Sequence, residues 1–160
     1  MKIQFIYRLF IYSLIIGISC IFTACSDEKS PEDQVNEYIE SAKTAAQERS
    51  LGDFKALISD HFKGKNGYQK RDLSGLATGY FFQNKNIYLL TKTKSIYFPT
   101  PDQAEVQLVV AMAGQPINDA ASLVSFRARI YAFDLVLNRQ DEKWLLENAR
   151  WSPANSKDLF

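Results

Sequence analysis

After Asn86 the spacing of apolar side chains changes. Before it they recur every three or four positions, as Val35, Tyr38, Ile39, Ala42, Ala45 and Ala46 do, which makes one face of a helix. After it they alternate, as Val106, Leu108, Val110 and Met112 do, which makes one face of a strand. A chain that completes its helices before its strands does not build the interleaved units of a parallel sheet. It is expected to be α+β, with helices gathered against an antiparallel sheet.

The elements can be placed in more detail. Ser30-Pro31-Glu32-Asp33 reads as a helix start. Ser30 can cap, Pro31 loses nothing in a first turn, and the acids favour the positive end of the helix dipole. This helix should run to about Arg49. Ser50 and Asp53 repeat the capping pattern and open a short second helix carrying Leu51, Phe54, Leu57 and Ile58. A loop from His61 to Tyr68 is broken by Gly64 and Gly67. A third helix covers Lys70 to Gln83, with Leu73, Leu76, Ala77, Tyr80 and Phe81 as its stripe. Gly75 and Gly79 inside it either permit a close helix crossing or weaken the helix, since each costs about 1 kcal/mol in propensity. The expected strands are Ile87 to Phe98, ended by Pro99 and Pro101, then Ala104 to Ala113, Leu123 to Asn138 and Lys143 to Trp151. Gly114 to Ala121 is a loop, and Arg139-Gln140-Asp141-Glu142 turns the last two strands into a hairpin.

The first segment belongs to a different phase of the protein's life. Lys2 and Arg8 precede a strongly apolar stretch, Leu9 to Ile18, and then smaller residues lead to Cys25. A basic start, an apolar middle and a small-residue exit make a secretory signal. The exit, Phe22-Thr23-Ala24-Cys25, resembles the lipobox of bacterial lipoproteins, with Phe22 standing where Leu is usual. The resemblance implies cleavage before Cys25 and a diacylglycerol on its sulfur. Two or more acyl chains hold a protein stably to a membrane, whereas one holds it marginally. Ser26, rather than Asp, follows the cysteine, which resembles cargo of the outer membrane. The other cysteine, Cys20, leaves with the signal, so the mature chain has neither a disulfide nor a thiolate metal site.

The chain therefore divides into a signal peptide over 1–24, a lipidated tether over 25–30, an α+β domain over 31–152 and a tail over 153–160. Three N-terminal helices followed by about four long strands, the last two in a hairpin, resemble the nuclear transport factor two-like fold, also called the SnoaL-like or cystatin-like cone. The closing Lys143 to Ala149 is similar to the final strand of many such domains. This resemblance implies a strongly bent sheet curled around the first helix, leaving a pocket. Enzymes of that family place an Asp, or a His with an Asp, inside the pocket as base.

Charge and chemistry narrow the function. Without Lys2 and Arg8, 17 Lys and Arg face 18 Asp and Glu, a net charge of −1 that gives no reason to expect nucleic acid. Residues 27–60 are acidic and residues 61–94 basic. The basic stretch either solvates one side of the domain and complements the acidic helix, or meets an anionic lipid surface. The single histidine, His61, follows Asp60 in a loop, where the two cannot easily point into one pocket. Asp134 interrupts Ile130 to Val136 and shares a face with Ala128, Ile130, Ala132 and Val136. If buried there it would have a raised pKa and could act as a base. Arg127 and Arg129 fall on the other face, lining a polar mouth or solvating the convex side. Tyr80, Phe81, Phe82 and Tyr88 form an aromatic concentration that serves as core or as the wall of an apolar pocket. No Gly-rich phosphate loop, metal cluster or cofactor motif is present. The expectation is a non-catalytic envelope module that binds a small apolar ligand or an envelope partner, or forms a homodimer through its sheet. A cone-type isomerase or dehydratase using Asp134 is the alternative, and an adaptor for anionic lipid through residues 61–94 is another.

Overall fold

The computed structural model describes residues 29–116 and 128–159. The signal segment with Cys25, and Arg127, lie outside them. Three helices come first: α1 (Pro31–Gln47), α2 (Leu51–Ala56) and α3 (Lys70–Gln83). Four strands follow: β1 (Tyr88–Thr100), β2 (Gln103–Ala113), β3 (Arg129–Gln140) and β4 (Lys143–Pro153). They form one antiparallel sheet in the order β1-β2-β3-β4. The α+β expectation holds.

Local chemistry sets the helix ends. The Ser30 hydroxyl accepts the Asp33 N–H at 3.1 Å, and the Ser50 hydroxyl accepts that of Asp53 at 3.4 Å. Arg49 takes a left-handed φ of 56° and turns the chain between α1 and α2. α3 starts with a reciprocal cap in which the Asp72 carboxylate accepts the Gln69 N–H at 2.9 Å. At the β3–β4 turn Asp141 and Glu142 both have positive φ, 48° and 65°. That is the geometry of a two-residue hairpin turn whose twist matches the strands.

The sheet bends because its ladders slip. An extra β1 residue, Lys94, separates the Thr93 and Ser95 pairings, and an extra β4 residue, Glu147, lies opposite the Val136/Leu137 step. Bulges of this kind kink a strand and increase its twist. The curled sheet wraps α1, and Val35, Ile39, Phe62, Val106, Leu137 and Trp144 pack between them. Trp144 donates its indole N–H to Gln34 Oε1 at 3.2 Å, so the buried ring keeps a partner. The outer edge of β4 is covered, since Leu146 donates to the Leu57 carbonyl and accepts from Ser59, and Lys63 donates to Glu147.

One expectation needs correction, and two details are sharpened. Pro99 does not end the first strand, which continues to Thr100. β1 is an edge strand and Pro99 sits at a register shift, where a missing donor breaks no ladder bond. Gly75 and Gly79 do not permit a close crossing, because a Cβ at either would meet nothing within 4 Å. The tail packs on the sheet. The last strand reaches Pro153, and Ser156–Asp158 forms a 3-10 turn that seats Leu159, 4% exposed, against Val109 and Ala111 on the outer face of the sheet.

Candidate functional site

The apolar stripe of α1 shrinks along the helix. Val35, Tyr38 and Ile39 fill the space beneath its N-terminal half, whereas Ala42 and Ala46 leave it open. The result is a cavity of about 470 Å³ between α1, α3 and the concave face of the sheet. This volume lies within the roughly 300–1,000 Å³ typical of small-molecule sites.

Strand register orders the floor into rows. Leu89, Met112 and Arg129 lie side by side across β1, β2 and β3, and Thr91, Val110 and Tyr131 form the next row. Leu108, Phe133 and Trp151 follow, and then Leu135, which is flanked by the core residues Val106 and Ala149. The floor thus grades from a polar rim at Arg129 to an apolar interior. Aromatic rings build one wall. Phe133 lies 6.4 Å from both Tyr131 and Trp151, and Phe54 meets Phe81 edge-on at 6.0 Å. At the rim the Arg129 guanidinium stands over the Tyr80 ring, 5.6 Å from its centroid. Burial pushes the Tyr80 phenol pKa up, Arg129 partly offsets this, and Tyr131 adds to it. Tyr80 is therefore a protonated donor at physiological pH.

Of the residues singled out in sequence, Tyr80, Phe81 and Arg129 meet in this cavity. Tyr88 does not line it. Leu89 and Thr91 face the cavity, so strand alternation turns Tyr88 away, and it is 37% exposed. Phe82 is 90% exposed. Asp134 as a pocket base is corrected by the same alternation. Tyr131, Phe133 and Leu135 face the cavity, so Asp134 belongs to the outer face, exposed, where it accepts from Gln107 Nε2 at 3.3 Å. The smaller side chains of its face, Ala128, Ile130 and Ala132, pack with the C-terminal tail instead. Arg127 lies outside the described residues.

His61 is exposed on the α2–α3 loop, with its backbone N–H donated to Ser59 Oγ. Its neighbour Asp60 accepts from Lys70 at 2.8 Å, and that hydrogen bond holds the carboxyl below the usual range. The acids of α1 pair within their own region, Glu37 with Lys29 and Glu40 with Lys43. Among the described residues Asp60–Lys70 is a pair that links the acidic and basic halves. Among the described residues no three His, Cys, Asp or Glu side chains gather as a metal site, and no helix is long and apolar enough to cross a membrane.

Sequence reading missed Lys43, Tyr131 and Trp151, which also line the cavity. Tyr131 could have been found, since it alternates with Arg129. Lys43 could have been found too, since it lies four residues after Ile39 and three before Ala46 on α1, whereas Trp151 reaches the cavity through the pairing of β4 with β3.

No family model matches the chain, and no curated protein matches it in sequence. Solved structures do. A candidate scytalone dehydratase from Novosphingobium aromaticivorans superposes with a TM-score of 0.64 at 10% identity, over 78% of this chain and 84% of that one. A domain of unknown function with a cystatin-like fold from Nostoc punctiforme gives 0.58 at 17% identity, over 78% and 77%. A nuclear transport factor two-like protein of unknown function from Shewanella oneidensis gives 0.56 at 14% identity, over 76% and 98%. At these identities the likeness establishes the fold, the curved cone of the nuclear transport factor two-like and cystatin-like structures, and nothing of the chemistry.

Proposed function

We propose that this chain is a lipoprotein of the bacterial cell envelope, anchored through Cys25 to the outer membrane. Its periplasmic domain holds a small apolar ligand without transforming it. The observation that carries this reading is the make-up of the cavity. Its described lining is overwhelmingly apolar and includes no Asp, Glu or His, the side chains that most often take a proton in general base catalysis. Lys43 is occupied by Glu40 at 3.1 Å, and burial makes the Tyr80 phenol a poorer acid than usual. The anchor is supported by Phe22-Thr23-Ala24-Cys25 after an apolar stretch, and the choice of membrane by Ser26.

The test uses the neutral apolar dye N-phenyl-1-naphthylamine with the full chain. Dye fluorescence should rise on binding. Ala46→Phe, which fills the cavity from α1, should weaken dye binding at least about tenfold, the equivalent of 1.4 kcal/mol, while leaving the unfolding midpoint unchanged or higher. Undiminished dye binding by a folded Ala46→Phe variant would sink the reading.

A further inference from the structure

We propose that the ligand of this cavity is a single-tailed amphipathic anion, its tail lying on the Leu108–Phe133 floor and its acidic head against Arg129. This rests on the reading of the cavity as a binding site and adds the class of ligand it takes.

Three observations converge. The first is the gradient of the floor. From the Arg129 row to the Phe133 row the sheet runs four residues along β3, roughly 13 Å at about 3.3 Å per residue, and over that distance the lining passes from guanidinium and phenol to hydrocarbon and aromatic ring. A ligand polar at one end and apolar along the rest matches such a surface. The second is the sign of the rim. Its ionisable and hydrogen-bonding groups are Arg129, Lys43, Tyr80, Tyr131 and Thr91, with no carboxylate among the described lining residues. Arg129 is exposed at this rim, where a cationic head would meet like charge and a neutral head would leave the guanidinium without a counter-charge.

The third is the posture of Arg129. Among the described residues no ion pair involves it, while its guanidinium stands over Tyr80. A guanidinium placed over a ring makes no hydrogen bond to it through that contact, so its N–H donors can serve an acceptor such as a carboxylate or a phosphate. Lys43 contributes less, because Glu40 already accepts from it. The head is therefore assigned to Arg129.

The full chain, held in nanodiscs of a zwitterionic lipid, would be titrated at neutral pH by calorimetry against empty nanodiscs. The probes are decanoate, decyl phosphate, decanol and decylamine, which share a tail and differ in head. The expected order is either anion at least about tenfold tighter than decanol, the scale of one charge-assisted hydrogen bond, with decylamine weakest. The preference between the two anions identifies the head group. Arg129→Gln should remove the anion's advantage and leave decanol binding unchanged, and Arg129→Lys should restore part of it. Equal binding of decanol and the anions, or an anion preference that survives Arg129→Gln, overturns the anionic class while the apolar cavity stands. Absence of binding by all four probes, together with undiminished dye binding by Ala46→Phe, overturns both.

Discussion

Tyr38 carries a hydroxyl into the core beneath α1, where it donates to the Leu57 carbonyl at 3.2 Å and the residue is 8% exposed. Burial pushes its pKa far above that of a free phenol, because an ionised oxygen there would be stripped of water. A phenol whose folded-state pKa lies above the unfolded value, about 10, contributes stability that is complete below that value. The contribution is lost as the pH rises through the folded pKa. Urea midpoints of the wild type should therefore fall steeply above about pH 10. Tyr38→Phe should cost about 1 kcal/mol near neutrality, since the Leu57 carbonyl loses its donor, yet show a shallower alkaline decline. Parallel declines in the two proteins would place the ionising group elsewhere. The sequence marks Tyr38 as part of a stripe, but its partner lies 19 residues away and no spacing rule reaches it. Asp134 shows the same limit. Alternation correctly separates it from Tyr131 and Phe133, but which face meets the helices depends on the direction in which the sheet curls.

At the scale of elements, helix starts were legible because capping is local. Ser30 and Ser50 cap as their spacing to Asp33 and Asp53 implies. The bulges at Lys94 and Glu147 were not legible, since a bulge is defined by the partner strand's register. α3 is the informative case. Its two interior glycines face open space, so they do not serve packing, and the helix carries their propensity cost uncompensated. Gly75→Ala and Gly79→Ala should each stabilise the domain by roughly 0.5–1 kcal/mol, read as a higher urea midpoint with an unchanged denaturant slope. Destabilisation by either would mean that α3 packs more closely than its surroundings show. Because α3 supplies Leu73, Leu76, Tyr80 and Phe81 to the cavity, a stiffer α3 should also slow dye association.

At the scale of the whole molecule, α1 sets the cavity against the anchor. Its N-terminal end lies by Trp144, through Gln34, and receives the tether. Its C-terminal end lies by the polar rim, where the Gln47 side chain accepts the Leu89 N–H at 3.2 Å. The 17 residues of α1 span about 25 Å, and residues 25–30 extend at most about 20 Å. On the proposed anchor at Cys25, α1 pointing away from the bilayer would set the Arg129 rim at the far end of the domain. That orientation favours a ligand delivered from the aqueous side over lipids of the anchoring leaflet. The absence of any thiol after Cys25 makes the orientation measurable, because an introduced cysteine is then the only labelling site. A fluorophore at Lys29→Cys should be quenched by brominated lipid, whereas one at Phe82→Cys, on the exposed end of α3 beside the cavity, should not. Cys25→Ala should abolish quenching at position 29. Strong quenching at position 82 in the anchored protein would instead lay the cavity on the bilayer and return its lipids as the first source of ligand.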